Sequence, residues 1–139
     1  MSSGFDIPPG TVSLADYETH ARARLGEAVW SYLAGGGADE LTMRWNREAF
    51  TRIRLEGRVL RDMAGATTQV DLLGMTLPHP IMVAPVAFQT LAHPDGELAT
   101  VVGASALGAA MVVSTQASVP LEDIARQAAT PLWFQLYIQ

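Results

Sequence analysis

From residue 80 onward the chain repeats one pattern: a short apolar run, a polar loop, then an amphipathic helical stretch. No other feature constrains the fold as much. Parallel neighbouring strands need a crossover connection, and a helix is the usual one. The first run, 81–84, is bracketed by Pro80 and Pro85 and leads through Val86, Ala87, Phe88 and Gln89 to a helix start at Asp95-Gly96-Glu97. That helix is expected over 95–107, ended by Gly108. A second strand is expected over 110–114 and a helix over 120–129, with Ser118 as candidate N-cap and Pro120 in the first turn. A third strand is expected over 132–137. Strands that are apolar throughout, rather than at alternate residues, indicate a parallel sheet covered by helices.

Upstream the pattern is helical. Ser13-Leu14-Ala15-Asp16 reads as a variant capping box, followed by Leu14, Tyr17, Ala21 and Leu25 on one face. Gly26 punctuates it. A short helix over 27–34 carries Val29, Trp30 and Leu33 and stops at Gly35-Gly36-Gly37. Asp39 is the expected N-cap of a third helix running to about Phe50, with Leu41, Trp45 and Ala49 in register. Residues 53–62 look irregular. Arg52, Arg54, Arg58 and Arg61 there suggest a solvated or intersubunit face. Residues 70–77 read as a small hairpin turning near Gly74. The expected organisation is a flexible lead-in (1–12), a helical region with the hairpin (13–79), and three strands with their helices (80–139).

Two α/β architectures compete. A nucleotide-binding doubly wound sheet usually shows a Gly-rich first turn, and Pro85-Val86-Ala87 is not one. A (β/α)₈ TIM barrel fits the rhythm but typically needs about 250 residues. The expectation is therefore an incomplete barrel: N-terminal helices, a hairpin and the first three barrel strands of a longer protein. An open three-stranded sheet would expose unpaired edges.

Composition narrows the class. Hydrophobic residues make up 49% and charged residues 17%, as in a globular chain. A net charge of −5 gives neither a nucleic-acid stripe nor a polybasic membrane patch. The absence of cysteine excludes disulfides, thiolate metal sites and Cys nucleophiles. Residues 1–10 lack the basic and apolar regions of a secretory signal, and the weakly polar run 103–113 is too short to span a bilayer. A cytoplasmic protein with no membrane or nucleic-acid partner is expected.

In a barrel, functional groups sit at the C-terminal strand ends. Three clusters meet that rule: Ala84-Pro85-Val86-Ala87, Ser114-Thr115-Gln116 and Gln135-Leu136-Tyr137. They supply backbone N–H groups, hydroxyls, amides and a phenol, suited to a flat, heteroatom-rich ligand. None is a strong acid, a strong base or a metal ligand. His93, beside Pro94 and a helix start, is expected to fix its loop, and Asp95 and Glu97 to be helix-terminal charges favoured by the dipole. Gly35-Gly36-Gly37 follows a helix and lacks the Lys-Ser/Thr of a phosphate loop.

Five motifs in order carry a resemblance: Trp30-Ser-Tyr-Leu-Ala-Gly-Gly36, Asn46-Arg-Glu-Ala-Phe50, Pro80-Ile-Met-Val-Ala-Pro-Val-Ala87, Ala92-His-Pro-Asp-Gly-Glu97 and Phe134-Gln-Leu-Tyr137. Over residues 13–139 the chain resembles the FMN-dependent α-hydroxy-acid oxidase/dehydrogenase family, which includes glycolate oxidase, lactate oxidase and mandelate dehydrogenase. The resemblance implies oxidation of a small α-hydroxy acid to the α-keto acid, with a hydride equivalent passing to flavin N5. It implies that Ala84, Pro85, Val86 and Ala87 line the FMN, with the Ala87 backbone near N5. Ser114 and Gln135 would hydrogen-bond the isoalloxazine. Tyr32 would bind the substrate carboxylate, and Tyr137 would position the substrate and act at the carbinol. Gln116 departs from the Trp or Leu common in the family.

The family's catalytic His, a Lys near flavin N1, an Arg pair and the phosphate site are implied to lie in later strands. A full-length homo-oligomer, often a tetramer, is implied as well. Two other readings stand beside this one. The chain could be a non-catalytic assembly piece, or it could come from another FMN barrel such as type 2 isopentenyl-diphosphate isomerase. Tyr32 and the Phe134–Tyr137 motif speak against the isomerase.

Overall fold

The computed structural model describes residues 7–138. Half of the expected lead-in (residues 1–6) and Gln139 lie outside the described residues. The chain divides into two compact units, one up to Val59 and one from Leu60.

The first unit holds three helices: α1 (Asp16–Arg24), α2 (Glu27–Ala34) and α3 (Leu41–Arg52). α2 begins and ends where its Gly signals place it. The other two helices begin later than expected. Residues 13–15 form tight turns, so Ala15 rather than Ser13 takes the N-cap position, with no side-chain cap. The Ser13–Asp16 pair works in reverse. The Asp16 carboxylate accepts from the Val12 and Ser13 N–H groups at 2.9 and 2.7 Å and from the Ser13 hydroxyl at 3.0 Å. Asp39 is not the cap of α3. Glu40 takes that place in the left-handed region (φ 56°), and its carboxylate accepts from the Gly36 N–H at 3.0 Å. No residue of α1, α2 or α3 is buried. Leu14, Trp45 and Phe50 are exposed.

The irregular stretch 53–62 contains no helix or strand, and Arg52, Arg54, Arg58 and Arg61 are exposed.

The second unit opens with an antiparallel hairpin, β1 (Val70–Leu72) and β2 (Met75–Leu77), joined by Leu73-Gly74. Both turn residues have positive φ, 47° and 82°, as the right-handed twist of a two-residue hairpin demands. Three strands follow in a parallel sheet: β3 (Met82–Val83), β4 (Ala110–Ser114) and β5 (Leu132–Gln135), in the order β3-β4-β5. Helix α4 (Gly96–Ala106) connects the first pair and α5 (Leu121–Gln127) the second.

Two of the strands are shorter than their apolar runs. Between Pro80 and Pro85 only Met82 and Val83 pair with β4. β5 ends at Gln135, opposite Ser114, because its one partner ends there, so Leu136 and Tyr137 run beyond the ladder. α5 is also shorter than expected and takes Pro120 as N-cap. Ser118 does not cap it. Its hydroxyl instead accepts from the Thr90 N–H at 3.2 Å.

Strand order and handedness decide the layering. Sequential crossovers in one direction, each right-handed, put both helices on the same face of the sheet. α4 and α5 accordingly pack on each other. Val101 and Ala104 of α4, Ile124 of α5, and Met111 and Val113 of β4 form one core, with Val83 and Leu132 against it. By strand alternation, Ala110, Val112, Ser114 and Gln135 project from the opposite face, where Ala110 and Ser114 are buried. Gly108 closes α4 in a Schellman motif: φ is +69°, the Gly108 N–H reaches the Ser105 carbonyl at 3.1 Å, and the Ala109 N–H reaches the Ala104 carbonyl at 2.9 Å.

Glu97 stands in the first turn of α4, as expected of a helix-terminal charge, and it is 1% exposed, which the sequence did not indicate. It shares the inner face of α4 with Val101 and Ala104.

Candidate functional site

The C-terminal ends of β3, β4 and β5 lie side by side, and their loops are tied by hydrogen bonds. Ser114 and Gln135 are register partners at the last rung of the ladder. The Ser114 hydroxyl and the Thr115 N–H both reach Gln135 Oε1 at 3.4 Å. The Thr115 hydroxyl donates to the Gln135 carbonyl and accepts from the Tyr137 N–H at 3.3 Å. Ser114 Oγ accepts in turn from the Gln116 N–H at 3.1 Å. The Gln116 carbonyl accepts from the Phe88 N–H at 3.0 Å, which joins the β4 loop to the β3 loop. Within that loop Gln89 Nε2 approaches the Val86 carbonyl at 3.4 Å.

Seven of the eight residues singled out in the sequence fall at this edge. Ser114 is buried at 6% exposure and Gln135 half-buried. Ala84, Pro85 and Val86 are exposed and Ala87 is half-buried. Tyr137 joins them through its backbone N–H, and its side chain is exposed. Tyr32 belongs to the first unit, on α2, and is also exposed. Two concavities of about 400 and 390 Å³ open among the first unit's helices, both lined by Glu18 and Trp30; no strand-end residue lines either.

The chemistry of the edge is neutral. It offers one buried hydroxyl, a carboxamide and loop N–H groups. The Ser114–Gln135 contact is long for an O–H···O bond. Among the described residues no cluster of His, Cys, Asp or Glu could hold a metal ion. The chain has no lysine, and from Leu60 onward its only arginines are Arg61 and Arg126, the latter paired with Asp123 on α5. His93 fixes its own loop: Nδ1 accepts from the Asp95 N–H at 3.2 Å.

Two contributors have a part the sequence did not assign: Thr115 stands there only in a strand-end cluster, and Glu97 reads only as a helix-terminal charge. Thr115 organises the β5 end from both sides. Glu97 binds the loops from behind. The i, i+4, i+7 spacing of Glu97, Val101 and Ala104 was the available signal, since it puts the acid on the core face of its helix.

Comparison with known proteins agrees with this architecture. The profile of the family described as FMN-dependent dehydrogenase matches residues 21–139. An L-lactate oxidase of Alicycliphilus denitrificans is 45% identical over 139 residues, all of this chain and 38% of the relative. The 4-hydroxymandelate oxidase of Amycolatopsis orientalis is 44% identical over 126 residues, 91% of this chain and 35% of the relative. Among solved structures, a mandelate oxidase with 3,3-difluoro-2-hydroxy-3-phenylpropionic acid superposes with a TM-score of 0.86 at 42% identity, covering 91% of this chain and 38% of that one. The chain thus spans little more than a third of the length of the relatives it matches. With the profile matching most of its residues, the chain belongs to the FMN-dependent dehydrogenase family.

Proposed function

We propose that this chain is the N-terminal part of a (β/α)₈-barrel enzyme that binds FMN at the strand-end edge and oxidises a small α-hydroxy acid to the α-keto acid. The observation that carries the reading is the Ser114–Gln135 pair at the C-terminal ends of adjacent parallel strands, on the face away from the helices. Barrel enzymes place their ligands at that end of the sheet. The donor set fits the cofactor, because a neutral hydroxyl, a carboxamide and loop N–H groups complement the alternating donors and acceptors of an isoalloxazine edge.

In this reading Ala84, Pro85, Val86 and Ala87 form a small-residue wall along the ring, and Ser114 and Gln135 hold its polar edge. Tyr32 receives the substrate carboxylate, and Tyr137 orients the substrate at its carbinol. Bound FMN supplies the two-electron acceptor for the hydride equivalent. The proton-accepting base and the phosphate-binding cations belong to parts of the longer protein outside these residues. The two arginines of the second unit do not form a phosphate cradle by themselves. The family profile gives no support to the isomerase reading.

The test is to express the whole reading frame containing this sequence and examine the purified protein for flavin absorbance. Bound flavin that bleaches without oxygen on addition of lactate, glycolate or mandelate is the expected result. A folded, colourless protein would overturn the reading.

A further inference from the structure

We propose that Glu97 is a positioning residue whose buried carboxylate pins the two loops carrying the flavin-facing positions to the first turn of α4. Its Oε1 accepts from two backbone N–H groups that belong to different loops. Ser118, in the loop after β4, donates at 2.9 Å, and Gln89, in the loop after β3, donates at 3.3 Å. The same two loops meet again where the Thr90 N–H reaches the Ser118 hydroxyl at 3.2 Å and the Phe88 N–H reaches the Gln116 carbonyl. Gln89 is held a third way, its Oε1 accepting from the Thr100 hydroxyl of α4 at 2.6 Å.

The position is built for this contact. Gly96 lies at φ +46°, and a Cβ there would stand 2.8 Å from Thr90 Cγ2 and 3.2 Å from the Thr90 backbone nitrogen. Only a residue without a side chain lets α4 start so close to the loop, and that approach brings the next side chain to Gln89. Glu97 Oε2 is buried with no partner among the described residues. Burying a carboxyl group whose second oxygen is unpaired is costly. A residue that merely filled space here would be better served by Leu or Met.

The inference rests on the flavin reading only for what the loops hold. The tie between them is a separate claim, and the experiment reads the two separately. Glu97→Ala and Glu97→Gln are made in the protein expressed from its whole reading frame. Amide hydrogen exchange is followed by mass spectrometry over peptides containing Gln89 and Ser118, with the β1–β2 hairpin as internal control. FMN dissociation is measured in parallel.

Loss of a charge-assisted bond to each loop should raise exchange at Gln89 and Ser118 by about tenfold or more in Glu97→Ala, with the hairpin nearly unchanged. Glu97→Gln keeps an acceptor oxygen and should recover most of the protection. FMN dissociation should follow the same order, fastest in Glu97→Ala. If Glu97→Ala does not fold, Glu97→Asp, one methylene shorter, should show the same local pattern. Exchange that rises uniformly across the protein, or stays unchanged at Gln89 and Ser118, overturns the proposal. FMN dissociation that ignores the exchange order overturns its flavin half. If the unmutated protein binds no FMN, the flavin reading fails, and the exchange pattern still decides the tie.

Discussion

Ser114, Gln135 and Thr115 show how much a neutral side chain can organise at a strand end. Gln135 Oε1 serves both the Ser114 hydroxyl and the Thr115 N–H, so its removal strands two donors at once. Of the two, only the Ser114 hydroxyl is buried, and a buried donor left without a partner costs about 1–3 kcal/mol. On the proposed function, Gln135→Leu should loosen FMN by about tenfold or more, measured as a dissociation constant by flavin fluorescence. Ser114→Ala should have a smaller effect, since Gln135 Oε1 keeps the Thr115 N–H and the Gln116 N–H that loses its acceptor lies in the loop.

Asp16 makes a different prediction. The Val12 and Ser13 N–H groups, and then the Ser13 hydroxyl, hold its carboxyl below the ordinary aspartate range. A depressed folded value contributes stability that is present above the unfolded value and lost as pH falls through the folded one. The Val12 and Ser13 amide resonances should therefore shift together at a pH below that of an ordinary aspartate. Asp16→Asn should abolish the shift.

At the scale of elements, α4 and its C-terminal stop separate two kinds of glycine. Gly108 adopts φ +69°, and a Cβ there would meet Pro78 Cγ at 2.8 Å. Gly108→Ala should destabilise by about 1–2 kcal/mol from the left-handed backbone alone, and by more if Pro78 cannot yield. Gly103 lies mid-helix with nothing within 4 Å of an added Cβ. Gly103→Ala should stabilise by about 0.5–1 kcal/mol. Denaturant midpoints of the two variants should move in opposite directions. Equal shifts would contradict the α4 boundary described above. Leu73, exposed and at φ 47° in the hairpin turn, is a second left-handed position, where Asn should be better tolerated than Leu.

These elements were partly legible in sequence. α2 and β4 match their signals because each is bounded by residues with one local meaning: Gly26 and Gly35 for the helix, and Gly108 ahead of a β-branched run for the strand. The edge strands were misread in length, since apolarity reports burial and not the partner that ends a ladder.

At the scale of the whole molecule, the second unit is a sheet with two open edges. β3 and β5 each pair on one side only. Ile81, Leu136 and Ile138 are at least 65% exposed beside them. Unpaired strand edges are templates for pairing with another chain. The 139-residue chain by itself should therefore self-associate in a concentration-dependent way. Size-exclusion chromatography with light scattering should show this, and the product of the whole reading frame should not share the behaviour. A monomeric, cooperatively folding 139-residue chain would contradict it.

The sequence by itself determined the order of elements, the parallel sheet, the helical first unit and the family. Those properties are carried by local periodicity, by glycine and proline punctuation, and by motifs in a set order. Tertiary structure alone decided that both crossover helices share one face, because handedness is a property of packed units and leaves no mark on any single residue. It also decided which polar groups meet across strands, pairing Ser114 with Gln135 through register. The same holds for Glu97. An acid two residues into a helix looks like a dipole partner until the neighbouring loops fold over it and bury its carboxylate against their N–H groups.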